Sequence, residues 1–160
     1  MFVRWLLGLL FIVAVLIAGC GGLSDNSEST TNAPIGVAGN WTGTLRQKGI
    51  APFQIAARLD AVGSGRVAYT GIECGGSWTS KRALASSPPF ITIEERITEG
   101  AGGECKGVGT VTLHLRSATA GAGLEYDFTG GGVTSRGLLH RTDEDTLRQI
   151  FTQAGVKPPQ

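Results

Sequence analysis

The fold class follows from a stretch of seven residues, Thr110-Val111-Thr112-Leu113-His114-Leu115-Arg116, in which polar and apolar side chains alternate strictly. A period of two places one set of side chains on a buried face of an antiparallel strand and the other set on a solvated face. The same period occurs over residues 53–60 and 124–128. These segments predict an all-β fold.

Further segments with strand-like composition raise the expected number of strands to about eight. Glycine-rich turns separate several of them, and short connections favour an antiparallel meander. Eight such strands can close into a barrel without exposed edges. A two-sheet β-sandwich would show the same sequence pattern and is the alternative. The further segments are Trp41–Arg46, Arg66–Ile72, Gly76–Arg82, Phe90–Ile97 and Val133–His140.

The last segment of the chain has the period of a helix. Thr142 is predicted as its N-cap, acidic residues follow in the first turn, and Gly155 is predicted to end it. We expect the apolar face to pack against the barrel, with binding of a partner as the alternative. The residues of that face are Leu147, Ile150, Phe151 and Ala154.

The N-terminus carries one basic residue, Arg4, and then an uncharged apolar run from residue 5 to residue 18. This run is shorter than the roughly 20 apolar residues that a transmembrane helix needs, and it has the parts of a secretory signal. Ile17-Ala18-Gly19-Cys20 resembles the lipobox of bacterial lipoproteins. The resemblance implies cleavage before Cys20 and acylation of that cysteine, which would tether the protein to a membrane on the extracytoplasmic face of the cell envelope.

The expected organisation is therefore a signal peptide over residues 1–19 and a disordered tether over 20–37 that begins with the lipidated Cys20. The barrel domain with its helix follows over 38–155, and a tail over 156–160. The tether is rich in Ser, Thr, Asn and Gly and has too few large apolar residues to offset its ordering entropy.

Three cysteines are present, and with Cys20 assigned to lipid an even pair remains, Cys74 and Cys105. An exported protein lies in an oxidising compartment where disulfides persist, so we expect a structural bridge between them. Two unpaired buried thiols are the alternative.

The charge of the chain argues against nucleic acid as a partner. The sequence has 14 basic and 13 acidic residues, and cleavage would remove Arg4, so 14 − 1 = 13 basic residues would remain. A neutral protein lacks the basic surface that nucleic acids require.

From Gly39 to about Arg141 the chain resembles a small extracytoplasmic β domain of actinobacterial lipoproteins, which also occurs outside the membrane in some serine/threonine protein kinases. No enzymatic site of that family is transferred by the resemblance. The opening Gly39-x-Trp41 also resembles that of lipocalins, barrels that hold small ligands. The other matching positions are Gly43, Tyr69, Cys74-x-Gly76, Glu95-x-Ile97-Thr98-x-Gly100, Cys105, Gly109-Thr110-Val111, Tyr126 and Gly137-x-Leu139, while Trp78 stands where an aliphatic residue is more frequent.

Glu95 is the acid with the most informative position, because Ile91, Ile93 and Ile97 share its face of a strand. A carboxylate buried there needs a partner or takes a raised pKa. We expect an arginine or a hydrogen bond near the strand end, and a ligand-reading role inside the barrel is the alternative. The arginines considered are Arg58, Arg82, Arg116 and Arg136; Tyr126 and Trp78 are the other residues expected to face a ligand.

The other groups of polar residues do not indicate a catalytic site or a metal site. Glu125 and Asp127 share a strand face that fits a solvated surface better than a carboxylate pair. The two histidines and two cysteines lack the spacing of a metal site. We therefore expect no catalytic residue, cofactor or metal.

The predicted function is a lipid-anchored binding module for a small apolar ligand or an envelope component. The alternatives are a protein-interaction module, such as a hydrolase inhibitor or sensor accessory, and, more remotely, a hydrolase.

Overall fold

The computed structural model describes residues 36–84, 89–100, 105, 107–116 and 122–160. The signal peptide expected over residues 1–19, the lipidation of Cys20 and the tether up to residue 35 lie outside the described residues. In the described part of the chain, no helix is both long and apolar enough to cross a membrane.

The fold is a closed, lipocalin-like barrel of eight antiparallel strands with one C-terminal helix. Each strand pairs with its neighbour in sequence, and β1 also pairs with β8 along seven residues, from Trp41↔Arg141 to Gln47↔Ser135. This closing ladder confirms the barrel and excludes the sandwich. The elements are β1 (Gly39–Gln47), β2 (Phe53–Leu59), β3 (Gly65–Thr70), β4 (Cys74–Leu84), β5 (Phe90–Glu99), β6 (Val108–Arg116), β7 (Gly123–Gly130), β8 (Val133–Arg141) and α1 (Glu144–Gln153).

The alternation along the strands separates the interior of the barrel from its outer surface. In β6, Val111 and Leu113 are buried inside, whereas Thr110 and Arg116 are exposed outside. The alternation around the barrel produces one core inside it, and a second buried cluster forms where the helix covers β2 and β3. The buried members of the core inside the barrel include Leu45, Ile55, Val67, Trp78, Ile91, Ile93, Tyr126 and Leu139.

One end of the barrel is closed by Trp41. Its indole nitrogen donates to the carbonyl oxygen of Val37 at 2.7 Å, and the guanidinium of Arg141 lies 4.0 Å from the ring centroid. Arg141 also donates to the carbonyl oxygens of Ala38 and Gly36. Gly39 has φ +122, and a Cβ there would collide with the Arg141 guanidinium, so this position requires glycine.

The helix packs against the outer surface of the barrel as predicted. Leu147 and Phe151 are fully buried against Ala56 and Ala68, the small outward residues of β2 and β3. The N-cap, however, is Asp143 and not Thr142: the Asp143 carboxylate accepts the backbone N–H of Thr146 at 2.7 Å. The prediction of Thr142 was wrong because the N–H of that residue continues the sheet, donating to the Asn40 carbonyl.

The C-terminal end of the helix and both ends of the domain are well packed. Gly155 has φ +67, and it and Val156 donate to the carbonyls of Thr152 and Phe151, which forms a Schellman motif. Val156 is buried under the helix, and Val37 is buried in the barrel core.

Candidate functional site

The candidate site is built around Glu95, the only charged side chain that is buried among the described residues. It lies on the interior face of β5 between Ile93 and Ile97, and 3% of its surface is exposed. The carboxyl group therefore points into the apolar side of the sheet, as the alternation predicted.

Trp78 reaches this carboxyl group because it lies directly opposite Glu95 in the β4–β5 ladder. Cross-strand partners share a face of the sheet, so both side chains enter the interior side by side. The indole nitrogen of Trp78 donates to Oε2 of Glu95 at 2.7 Å. The ring of Trp78 is also stacked on Tyr126, with the centroids 6.0 Å apart.

Tyr69 and Tyr126 complete the cluster from β3 and β7. The hydroxyl of Tyr69 donates to Oε2 of Glu95 and lies 3.3 Å from the Tyr126 hydroxyl. Because a hydroxyl carries a single proton and that of Tyr69 goes to the carboxylate, the Tyr126 hydroxyl donates in this second contact. The hydrogen bonds thus run from Tyr126 through Tyr69 to Glu95.

Glycines lie opposite two members of the cluster on the neighbouring strands. Gly109 lies opposite Glu95 in the β5–β6 ladder, and a Cβ there would collide with the ring of Phe128. Gly137 lies opposite Tyr126 in the β7–β8 ladder, and its Cβ would be 2.6 Å from Cδ2 of Leu45. The positions beside the cluster are therefore occupied by backbone alone.

Burial dominates the electrostatics of the cluster. It raises the pKa of Glu95 by disfavouring the charged form, while the hydrogen bonds from Trp78 and Tyr69 act in the opposite direction. Burial, followed by the nearby Glu95 charge, raises the pKa of Tyr69 and of Tyr126 well above that of a free tyrosine. Both tyrosines therefore remain neutral donors at physiological pH.

A small cavity connects this cluster with one end of the barrel. Its volume is about 30 Å³, enough for about one or two water molecules and far below the roughly 300–1,000 Å³ of typical small-molecule sites. We call the end of the barrel at Gln47, Phe53, Phe128 and Ser135 the mouth; it is opposite the end that Trp41 closes. The lining residues are Gln47, Phe53, Tyr69, Ile72, Cys74, Glu95, Ile97, Cys105, Tyr126, Phe128 and Ser135.

Glu95 lines this cavity, and one oxygen of its carboxyl group has no hydrogen bond from the described residues. Both hydrogen bonds to the carboxyl group end on Oε2, and within the described part of the chain none reaches Oε1. No buried side-chain nitrogen or oxygen in that part lacks a hydrogen-bond partner. Because Glu95 lines the cavity, its Oε1 is the candidate acceptor for a small group that enters from the mouth.

Of the two partners expected for Glu95, an arginine or a hydrogen bond, the structure shows hydrogen bonds, and none of the four arginines reaches the carboxyl group. Arg58 pairs with Glu144 on the outer surface, and Arg136 pairs there with Asp127 at 2.8 Å. Arg82 and Arg116 are exposed. The partners of Glu95 are the neutral donors Trp78 and Tyr69, which both bond to Oε2 and do not compensate the charge of the carboxylate.

A disulfide joins Cys74 and Cys105, as predicted from the cysteine count, and excludes the alternative of two free thiols. Cys74 begins β4, and Cys105 follows β5 in sequence. Both residues line the cavity, so the bridge forms part of the mouth.

The other constellations remain apart from this site. Glu125 is exposed, and Asp127 is held by Arg136 outside the barrel. His114 packs against Phe90 with ring centroids 5.5 Å apart. Over residues 36–84, 89–100, 105, 107–116 and 122–160, no group of three or more His, Cys, Asp or Glu side chains could hold a metal ion.

Sequence reasoning did not assign Tyr69 and the Ser135–Gln47 pair to the site. Ser135 donates to Oε1 of Gln47 at 2.7 Å across the β8–β1 ladder at the mouth. Tyr69 lies two residues after the buried Val67 on β3, so both side chains point to the same face of the strand. This spacing could have placed the Tyr69 ring inside the barrel. Its meeting with Glu95 depends on how the barrel closes, and that information is not in the local pattern.

Comparison with known proteins gave no match: no protein-family model, no curated protein and no solved structure is significantly similar to this chain. The function is therefore inferred from the geometry of the site and from the resemblances in the sequence.

Proposed function

We propose that this protein is a non-enzymatic binding module that is anchored by lipid on Cys20 to the extracytoplasmic face of a membrane. It binds a small, largely apolar ligand or an envelope component at the mouth of the barrel. The observation that carries this proposal is the cavity that the buried Glu95 lines at this end of the barrel.

The size of the cavity limits how the ligand binds. A space of about 30 Å³ does not enclose a lipid-sized molecule, because one or two water molecules fill it. The ligand inserts one small group toward Glu95 and rests its apolar part on the rim. Phe53, Ile97 and Phe128 line that approach with apolar surface.

A titration with four-carbon probes tests ligand binding. The full chain, purified in detergent, is titrated with n-butylamine, 1-butanol and sodium butyrate while backbone amide signals are followed by NMR. We expect at least one probe to shift the signals of Phe128 and Ser135 at the mouth and to leave Trp41 at the opposite end unchanged. Equal shifts at both ends, or none with any probe, would refute binding at the mouth.

The anchor is tested separately. Cys20→Ser is expected to abolish incorporation of labelled palmitate and to move the protein from the membrane fraction to the soluble fraction, because the variant has no thiol to acylate. Unchanged labelling would show that Cys20 is not the lipid site.

A second candidate is a protein-interaction module, in which a partner inserts one side chain into the cavity. The exposure of Val108 favours it: this residue begins β6 at the mouth and is 50% exposed. A photo-crosslinking residue at Val108 should then yield one defined adduct in the native envelope. Val62, which is 40% exposed in the turn at the opposite end, is the matched control. Adducts of equal yield from both positions would exclude this candidate.

A further inference from the structure

We infer that the cavity at the mouth binds the ammonium group of an aliphatic amine, with the Glu95 carboxylate as its counter-ion. This inference rests on the proposed function, since it names the ligand chemistry of the same site.

The charge of the lining selects a cation over an anion. Glu95, Tyr69 and Tyr126 are the titratable groups among the described lining residues, and no lysine, arginine or histidine lies with them. Among the described residues, the carboxylate therefore has no positive neighbour in its own cavity. An entering anion would meet a like charge in a desolvated site, whereas a cation would supply the missing partner. The surrounding aromatic rings also attract cations at their faces.

The size of the cavity selects a primary ammonium group over a bulkier head. Such a group is about as large as a water molecule, and the space of about 30 Å³ admits about one or two waters. An ammonium group offers three donors, and Oε1 of Glu95 is an acceptor with no hydrogen bond from the described chain. The alkyl stem then lies between the apolar rim residues Phe53 and Phe128.

Binding of a cation is coupled to loss of the Glu95 proton. Three elements present polar groups to this carboxyl: Tyr69 from β3, Trp78 from β4 and, through Tyr69, Tyr126 from β7. Across the β5–β6 ladder only Gly109 lies opposite it. Since both tyrosines stay neutral, Glu95 is the group whose charge changes. The affinity for an ammonium group should therefore rise with pH until Glu95 is fully ionised and then become constant.

The same chemistry is offered by a free alkylamine and by a lysine-type side chain in an envelope peptide. Two probes distinguish these sources, n-butylammonium and Nα-acetyl-lysine amide. Only the second carries a peptide backbone, which must fit over the mouth.

The experiment follows the indole N–H signal of Trp78 by NMR in the detergent-purified full chain, because this group is bonded to Glu95. Trp41, whose indole is bonded to Val37 at the opposite end, is the internal control. We expect n-butylammonium to shift the Trp78 signal saturably. It should bind at least about tenfold more tightly than 1-butanol or butyrate, because the charged pair is buried. Tetramethylammonium, with the same charge and a larger head, should have no effect.

Two variants identify the carboxylate as the counter-ion. Glu95→Gln keeps the size and an acceptor oxygen and should weaken n-butylammonium about tenfold or more. Glu94→Gln is the matched control: this neighbour faces the outer surface, where it pairs with Lys81 at 3.1 Å, and binding should not change. If Glu95→Gln fails to fold, the pH dependence of the wild-type affinity gives the answer, with about a tenfold loss per pH unit below the Glu95 pKa.

The outcomes separate this inference from the proposed function. Equal affinities for n-butylammonium and 1-butanol, or tighter binding of butyrate, would overturn the ammonium site and leave a binding site at the mouth. Absence of binding by all probes would overturn both. Binding of n-butylammonium without Nα-acetyl-lysine amide would identify a free amine, and binding of both would identify a site open to a peptide.

Discussion

Removing the disulfide gives the most direct quantitative test of the fold. Cys74 and Cys105 are 31 residues apart in sequence, and the bridge closes the segment that contains β4 and β5. The double variant Cys74→Ala/Cys105→Ala opens this loop in the unfolded chain. It leaves the barrel ladders intact, since Cys74 is the first residue of its strand and Cys105 lies outside the strands.

The magnitude follows from the loop length. In the chain-entropy treatment, a loop of about 31 residues loses roughly 12 cal/mol/K, which is about 3.7 kcal/mol at 25 °C. Unfolding a domain of about 120 residues carries an entropy of roughly 0.25 kcal/mol/K near its midpoint. The double variant should therefore have a Tm about 15 °C lower.

The free energy of unfolding is measured by urea titration with tryptophan fluorescence as the readout. Wild-type protein reduced by dithiothreitol is the control and should match the double variant, because both lack the bridge. Thiol titration of the unfolded, unreduced wild type should detect neither cysteine. A double variant within about 1 kcal/mol of the oxidised wild type would refute the reasoning, since it would mean that the bridge does not restrict the unfolded chain.

Three further predictions concern the cluster, the helix and the interior glycines. Glu95→Gln should gain stability relative to the wild type as the pH rises from about 4 to about 8, measured by urea unfolding across this range; Glu94→Gln should show no such gain. Phe151→Ala should lower the free energy of unfolding by about 3–5 kcal/mol, because the fully buried ring packs α1 against the barrel. Thermal unfolding should show a lower midpoint, and the NMR signal of the Trp78 indole should not shift. Gly137→Ala should lower the free energy of unfolding by about 1–3 kcal/mol in the same assay, because its Cβ would lie 2.5 Å from the Thr44 carbonyl oxygen. An unchanged unfolding midpoint would show that the interior relaxes freely around the added methyl group.

The strands could be predicted from the sequence because each has one buried and one solvated face. In β6 and β7 the alternation marks every interior position, from Val111 to Phe128. The closure of the barrel could not be predicted in this way. It depends on the pairing of β1 with β8, whose residues Trp41 and Arg141 are far apart in sequence, and a sandwich would show the same local period.

The partners of Glu95 illustrate what local pattern can and cannot give. Three of these arginines are next to interior residues on their strands, so their side chains point to the outer face of the barrel. They are Arg58, Arg116 and Arg136. The sequence therefore held the signal that excluded three of the four expected arginines. The contact with Trp78 was harder to predict, because the β4–β5 ladder contains register shifts and its pairing cannot be counted from the turn.

Under the proposed function, the charge of Glu95 serves binding and not the fold. A glutamine would accept the same hydrogen bonds from Trp78 and Tyr69 through its amide oxygen and would carry no charge into the core. The raised pKa means that the folded protein keeps the Glu95 proton at pH values at which the unfolded chain has lost it. That contribution to stability is present at low pH and is lost as the pH rises through the raised pKa.

Stability and binding should therefore respond in opposite directions to Glu95→Gln. At pH 8 the variant should be at least as stable as the wild type and should bind n-butylammonium more weakly. This is the pattern of a residue that is retained for function at a cost in stability. If the variant instead loses stability and keeps its affinity for n-butylammonium, Glu95 holds the barrel together, and the ligand group is recognised by the aromatic rim alone.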